Sequence, residues 1–110
     1  MKLPNRHKAI VTREKLLNYL LSKNHIIGRT KAKFFRNFGF DENNVQEFQN
    51  AIIKIAETNE IKETKASSFG TKYIIDGTVE TPIGRKIQIR TVWIIESNTF
   101  VPRFVTAFPV

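Results

Sequence analysis

The chain has 110 residues, of which 41% are hydrophobic and 25% charged, and its 18 Lys and Arg outnumber 10 Asp and Glu to give a formal net charge of +8. This length and composition predict one domain over residues 1–110 that buries its own core, and they exclude a disordered chain. The lack of cysteine excludes disulfides and thiolate metal sites. Because no apolar run is long enough for a signal peptide or a membrane span, we expect a soluble, cytoplasmic protein with no membrane partner.

Helices are predicted in the first half of the chain, over residues 13–22, about 30–37 and from an Asn44 cap to about 58. Thr12 is a good N-cap for the first helix, which carries leucines at helical spacing. Gly39 is a plausible C-terminal stop for the second helix. Asn44 and Glu47 have the spacing of a capping box at the start of the third.

Beyond residue 60 the apolar residues alternate, which predicts strands over residues 61–67, 71–79, 85–95 and 101–110. Asp76-Gly77 is expected to interrupt the second strand with a bulge or bend. Pro102 and Pro109 favour an edge position for the last strand. Helices followed by consecutive strands predict an α+β fold, in which about three N-terminal helices pack on one face of a roughly four-stranded antiparallel sheet.

Positive charge is concentrated in the first third of the chain. Residues 1–36 hold ten Lys or Arg and one Glu, a net charge of +9, whereas residues 37–110 have a net charge of −1. Such asymmetry attracts polyanions, so RNA is the expected partner. Here His25 is followed by Arg29, Lys31 and Lys33; an imidazole can relay a proton, and cations stabilise a phosphate whose charge grows in a transition state. The alternative is a solvated loop histidine before a basic helix.

The predicted strand over 85–95 puts Gln88 and Arg90 on the face opposite Trp93. If the helices cover the Trp93 face, Gln88 and Arg90 can bind phosphate on the open face, together with Arg103 on the neighbouring strand. The alternative is that Arg90 is an exposed cation that discourages edge pairing.

Three further side chains are candidates on the strands. Thr91 and Thr106 interrupt apolar stretches, and their hydroxyls can position a substrate, although threonine also simply suits strands. Tyr73 can stack on a base or belong to the core or the surface. The sequence has no metal-ligand spacing, Walker loop, dinucleotide fingerprint or nucleophile elbow. Any catalysis is therefore expected to be acid/base chemistry without a metal or cofactor.

Two groups of residues form a longer pattern. The first is Leu3-Pro4, Lys15-Leu16, Tyr19-Leu20-Leu21, His25, Gly28, Lys31-Ala32, Phe34-Phe35 and Gly39-Phe40. The second is Gly70, Tyr73, Asp76-Gly77, Gly84, Arg90-Thr91-Val92-Trp93-Ile94, Pro102-Arg103 and Thr106. Together they resemble a small uncharacterised bacterial family whose members occur alone and as C-terminal modules of polymorphic toxins and phage head proteins. One departure is Ile26, where relatives are expected to have proline after the histidine.

The family looks similar to the barnase–EndoU–colicin–RelE ribonuclease fold, which has N-terminal helices followed by a four-stranded antiparallel sheet. The resemblance implies a toxin-type, metal-independent ribonuclease that cleaves RNA by 2′-hydroxyl transesterification and is neutralised by an antitoxin or immunity protein. The catalytic candidates are His25, Lys31, Arg90, Thr91 and Thr106, and the substrate-binding candidates are Arg29, Lys33, Tyr73, Gln88 and Arg103. Two alternatives stay open: a non-catalytic basic nucleic-acid-binding domain, and a toxin–antitoxin interaction module that docks an acidic partner.

Overall fold

The computed structural model of the protein describes residues 1–25 and 28–110. The helical elements come first: a 3-10 turn (Arg6–Lys8), helix α1 (Arg13–Lys15) continuing as a π-helical turn (Leu16–Leu20), helix α2 (Arg29–Asn37), a second 3-10 turn (Glu42–Asn44) and helix α3 (Val45–Thr58). The strands are β1 (Glu63–Ser67), β2 (Gly70–Glu80), β3 (Lys86–Glu96) and β4 (Arg103–Pro109). They form one antiparallel sheet in the order β1-β2-β3-β4. The predicted α+β class is confirmed.

The helices cover one face of the sheet. Along β3 the alternate residues Ile89, Thr91 and Trp93 are fully buried, whereas Gln88 is exposed and Arg90 half-buried. This is the alternation that a sheet with one covered face requires. It confirms that Arg90 lies on the face opposite Trp93, away from the helical layer.

Strand β2 runs without interruption through Asp76 and Gly77, which pair with Arg90 and Ile89 of β3. The predicted bend at this dipeptide is therefore wrong. Gly77 instead avoids a steric clash, because a Cβ atom at position 77 would lie 2.7 Å from Cγ1 of Ile55 on α3. Gly77 thus admits helix α3 to close contact with the sheet.

Strand β4 is an edge strand, as its prolines predicted, and the irregularity of the sheet lies there. Val92 pairs with Thr106 and Trp93 pairs with Phe104, so Val105 is one extra residue in β4. The N-terminal segment covers the beginning of this edge, where Ile10 forms a parallel bridge with Arg103.

Of the three capping features predicted for the helix ends, two are confirmed. The Lys15 amide donates to Thr12 Oγ1 at 3.1 Å, which confirms the N-cap, and Gly39 follows α2 with a φ of 97°. The predicted capping box of α3 is wrong, because the Asn44 side chain instead bonds the Asp41 amide and the Gly39 carbonyl. It thereby closes the preceding 3-10 turn. Ile26, the departure from the family pattern, lies outside the described residues.

Candidate active site

A part-buried cluster of three polar side chains joins the helical layer to strand β4. Lys31 Nζ on α2 donates to Tyr19 Oη at 2.8 Å and to Thr106 Oγ1 at 3.1 Å. Tyr19 Oη and Thr106 Oγ1 are themselves 3.1 Å apart. Each group therefore contacts the other two, and this triangle is called the Tyr19–Lys31–Thr106 cluster.

Tyr19 reaches the cluster from the π-helical turn. The Leu21 amide donates to the Leu16 carbonyl at 2.7 Å, a bond that spans five residues instead of the four of an α-helix. Leu16, Leu20 and Leu21 are fully buried, so the wide turn is held in place by the core. Turns of this kind occur frequently at functional sites.

Gly28 and His25 pack closely against Tyr19. A Cβ atom at position 28 would lie 2.3 Å from the Tyr19 carbonyl oxygen and 2.9 Å from its ring, so only glycine permits this approach. The Gly28 amide donates to His25 Nδ1 at 3.0 Å, and the imidazole packs edge-on against Tyr19 with 5.0 Å between ring centroids. Gly28 and His25 are therefore both in direct contact with Tyr19.

The cluster changes the acidity of the phenol. Burial raises the pKa of Tyr19, but hydrogen bonds with Lys31 and Thr106 and the positive charges of Lys31 and Lys15 outweigh it, so the pKa lies below the ordinary value of 10.0. The Lys15 and Lys31 ammonium groups lie 5.0 and 5.3 Å from the Tyr19 ring centroid. Tyr19 is therefore a phenol whose anion is stabilised by its surroundings.

Arg90 lies on the same face of the sheet as Thr106, on the neighbouring strand β3. Its partner across the ladder is Phe108 on β4, and Thr106 follows on the same face two residues away along that strand. Arg90 Nε and Nη2 bond the two Asp76 carboxylate oxygens at 2.8 and 3.0 Å. This hydrogen-bonded pair lowers the pKa of Asp76 and raises that of Arg90. Arg90 thus carries a fixed guanidinium on the open face.

Thr91 and Tyr73 lie on the helix-covered face, away from the cluster. Thr91 is fully buried; its hydroxyl donates to the Ile75 carbonyl at 2.7 Å and accepts from Trp93 Nε1 at 2.8 Å. Tyr73 is half-buried and pairs with Trp93 across the strands. The candidate role of Thr91 in catalysis conflicts with this position, because both functions of its hydroxyl are used inside the core.

Two other candidates lie on the open face but in separate contacts. Arg103 at the start of β4 is exposed and pairs with Glu96 at 2.8 Å. Gln88 is exposed, and its Oε1 accepts from the Thr78 hydroxyl at 2.6 Å.

Arg29 and Lys33 lie on a different side of α2 from Lys31. They line an open depression of about 500 Å³ together with Lys23 and Arg36. Arg36 has a structural partner there: its guanidinium donates to the Leu21 carbonyl and pairs with Glu42, which lowers the Glu42 pKa to about 2. The cations of α2 therefore belong to two different surfaces.

Lys31 and Thr106 were candidate site residues in the sequence analysis, but Tyr19 was not. It belongs to the family pattern quoted above, but its contact with Thr106 joins residues 87 positions apart. A tyrosine between two basic residues, Lys15 and Lys23, was the available signal in the sequence.

Within residues 1–25 and 28–110, no group of three or more His, Cys, Asp or Glu is arranged to hold a metal ion. The same part of the chain has no helix with the length and apolar character needed to cross a bilayer.

Comparison with known proteins gives a fold and a family. No curated protein matches this sequence. The fold is similar to that of a chain in the contact-dependent growth inhibition toxin–immunity protein complex from Klebsiella pneumoniae 342, with a TM-score of 0.73 and 17% identity over 94% of this chain and 95% of that one. At this identity the likeness shows the fold. A model of the family described as a domain of unknown function (DUF6883) matches residues 2–110, and the chain belongs to that family.

Proposed function

We propose that this protein is a toxin-type endoribonuclease that cleaves RNA by 2′-hydroxyl transesterification without requiring a metal. The observation that carries the proposal is the Tyr19–Lys31–Thr106 cluster, in which a phenol with a lowered pKa is bonded to an ammonium group and a hydroxyl. A proton acceptor and a phosphate-binding cation, both needed for this reaction, lie within 2.8 Å of each other.

In the proposed reaction the 2′-oxygen attacks the adjacent phosphorus, and its proton passes to the Tyr19 phenolate. The O2′–P bond forms, the P–O5′ bond breaks, and the 5′-oxygen leaves with a proton from a general acid. The products are a 2′,3′-cyclic phosphate and a free 5′-hydroxyl. Lys31 stabilises the charge that grows on the phosphate oxygens, and Thr106 orients them by hydrogen bonding.

His25 is the proposed general acid. In this proposal His25 acts as the imidazolium and gives a proton to the leaving 5′-oxygen, which returns the ring to its neutral form. The contact between the imidazole and the Tyr19 ring supports this assignment, because the proposed acid and base would both be near the same phosphate. His25 Nδ1 accepts from the Gly28 amide only in the neutral form, so this bond is absent from the acid form, in which both ring nitrogens are donors.

Cations outside the cluster bind the rest of the substrate in this proposal. Arg90 contacts the phosphate from the open face of the sheet, and Arg103 binds further along the same face. Arg29 and Lys33 attract the RNA backbone over the other side of α2. Thr91 has no part in it, because its hydroxyl is buried and bonded in the core.

An acidic antitoxin or immunity protein is the proposed protein partner. The Klebsiella complex, whose name pairs a toxin with an immunity protein, contains a chain of similar fold. The excess of cations in residues 1–36 fits a partner that mimics the charge of RNA. Such a partner would compete with substrate for the same surface.

The test is cleavage of total RNA and tRNA by purified protein in excess EDTA, with identification of the 3′ ends. Wild type should give defined fragments that end in a 2′,3′-cyclic phosphate. Tyr19→Phe and His25→Ala should each lose about 10²–10⁴-fold in rate, and Lys31→Gln about 10²–10³-fold. The matched control is Lys54→Gln, which removes the same charge from an exposed position on α3 and should cleave like wild type.

Three results would count against this function. Wild-type cleavage by both Tyr19→Phe and Lys31→Gln would show that the cluster is not the active site. Intact RNA with salt-dependent binding would select the non-catalytic nucleic-acid-binding domain. Intact RNA without binding, together with a one-to-one complex with an acidic protein, would select the interaction module.

A further inference from the structure

An apolar pocket adjoins the Tyr19–Lys31–Thr106 cluster. It has a volume of about 520 Å³ and lies between α2 and the end of β4, where it is lined by Thr30, Lys31, Phe34, Phe108 and Pro109. Lys31 belongs to both the pocket and the cluster, so the two are parts of one surface. The volume is in the range of small-ligand sites, which are mostly apolar with a few polar groups.

Phe108 lies beside the Lys31 ammonium group and next to Arg90 in the sheet. Lys31 Nζ lies 5.7 Å from its ring centroid, and Arg90 is its partner across the β3–β4 ladder. The ring is only half-buried, so part of it is accessible. An accessible aromatic ring beside a cation suits a ligand that has a flat ring attached to an anionic group.

Phe34 makes the opposite wall and is held by its neighbours. Its ring packs edge-on against Phe35 with centroids 5.2 Å apart and is tilted against Phe38 at 5.1 Å. Phe35 itself is fully buried. The pocket wall is therefore fixed by the core, so ligand binding costs little conformational entropy of this side chain.

We propose that this pocket binds a nucleobase of the substrate, the base next to the phosphate held by Lys31, with stacking on Phe108. The choice of ligand rests on the proposed ribonuclease function. A base stacks on an aromatic side chain, and its phosphate reaches the ammonium group at the pocket rim. Thr30, on the first turn of α2, also lines the pocket, and in this proposal its hydroxyl bonds the edge of the base.

The experiment measures binding separately from cleavage. The probe is a short RNA in which every ribose carries a 2′-O-methyl group and one base is the fluorescent 2-aminopurine. Because the nucleophile is blocked, binding is measured without reaction. Phe108→Ala should bind the probe about 5- to 150-fold more weakly than wild type. Phe108→Tyr, which keeps the ring, should bind nearly as well as wild type, with quenched 2-aminopurine fluorescence.

Two further variants test the specificity of the effect. Phe108→Leu keeps apolar volume but removes the ring, and it should lose both quenching and most of the affinity. Phe100→Ala removes an aromatic ring that is 81% exposed in the loop before β4 and should bind like wild type. Circular dichroism of each variant checks that the sheet is intact.

The outcomes separate this inference from the proposed function. If wild type cleaves unblocked RNA but Phe108→Ala and Phe108→Leu bind the probe with wild-type affinity, the base pocket is wrong and the ribonuclease stands. If no RNA is cleaved but binding depends on the Phe108 ring, the pocket is supported and the catalytic proposal fails. Absence of probe binding by wild type overturns the pocket.

Discussion

Replacing Thr91 by valine tests whether this residue is structural, as its position indicates, or catalytic. Valine keeps the shape of the side chain and removes only the hydroxyl. That hydroxyl accepts from Trp93 Nε1 at 2.8 Å and donates to the Ile75 carbonyl at 2.7 Å, and both Thr91 and Trp93 are fully buried. The variant therefore leaves the indole N–H in the core with no water and no acceptor.

The cost follows from these two bonds. A buried donor without a partner costs about 1–3 kcal/mol, and the lost bond to the carbonyl about 0.5–1.5 kcal/mol, so Thr91→Val should lose roughly 2–4 kcal/mol of unfolding free energy. For a domain of this size that lowers the Tm by roughly 10–30 °C. Thr91→Ser, which retains the hydroxyl, should lose less because only a methyl group is removed.

The assay is equilibrium unfolding in urea, followed by far-ultraviolet circular dichroism and by the fluorescence of Trp93, the one tryptophan in the sequence. RNA cleavage is measured in parallel below the unfolding transition. Thr91→Val should be less stable but cleave at the wild-type rate per folded molecule. An unchanged urea midpoint would refute the hydrogen-bond reasoning, and lost cleavage in a stably folded variant would return Thr91 to the catalytic site.

Three further predictions concern the cluster and two close contacts. In Lys31→Gln, the rise of kcat/KM with pH should move to higher pH, because the ammonium group helps to lower the pKa of the Tyr19 base; an unmoved limb would remove Tyr19 from that role. Gly28→Ala, with its Cβ 2.3 Å from the Tyr19 carbonyl, should cost about 1–3 kcal/mol in urea unfolding and abolish cleavage; a stable, active variant would contradict this geometry. Gly77→Ala should also lower the free energy of unfolding by about 1–3 kcal/mol, because the new Cβ would collide with Ile55. The double variant Gly77→Ala/Ile55→Ala should lose less stability than the sum of the two single losses. Strict additivity would show that the two residues do not clash.

Much of the fold could be predicted because an element with one buried face has apolar residues at regular intervals in its sequence. Residues 85–95 alternate, and β3 runs from Lys86 to Glu96; the apolar positions of α3 recur at helical spacing, and it ends at Thr58. These elements each have one covered face, so their side chains record which face that is. The sequence does not reveal close contacts between distant elements in this way. Gly77 looked like a bend because its contact with Ile55 is visible only once α3 is packed on the sheet.

The candidate site was predicted in part for the same reason. Lys31 and Thr106 were both selected, and they are hydrogen-bonded in the structure. Tyr19 was missed because the π-helical turn that presents it depends on core packing and has no simple sequence pattern. The alternation also put Thr91 on the Trp93 side of the strand, where it is buried in the structure.

The long separation between the members of the Tyr19–Lys31–Thr106 cluster bears on when the site exists during synthesis. Thr106 is 87 positions after Tyr19 and 75 after Lys31, and it sits on the last strand of the sheet. A nascent chain that has folded its helices and first three strands still lacks Thr106, the third member of the cluster. The complete site therefore arises only after residue 106 has been made and β4 has docked. Under the proposed function, a nascent chain would therefore be unable to cleave the RNA of the ribosome that makes it until β4 has emerged and docked.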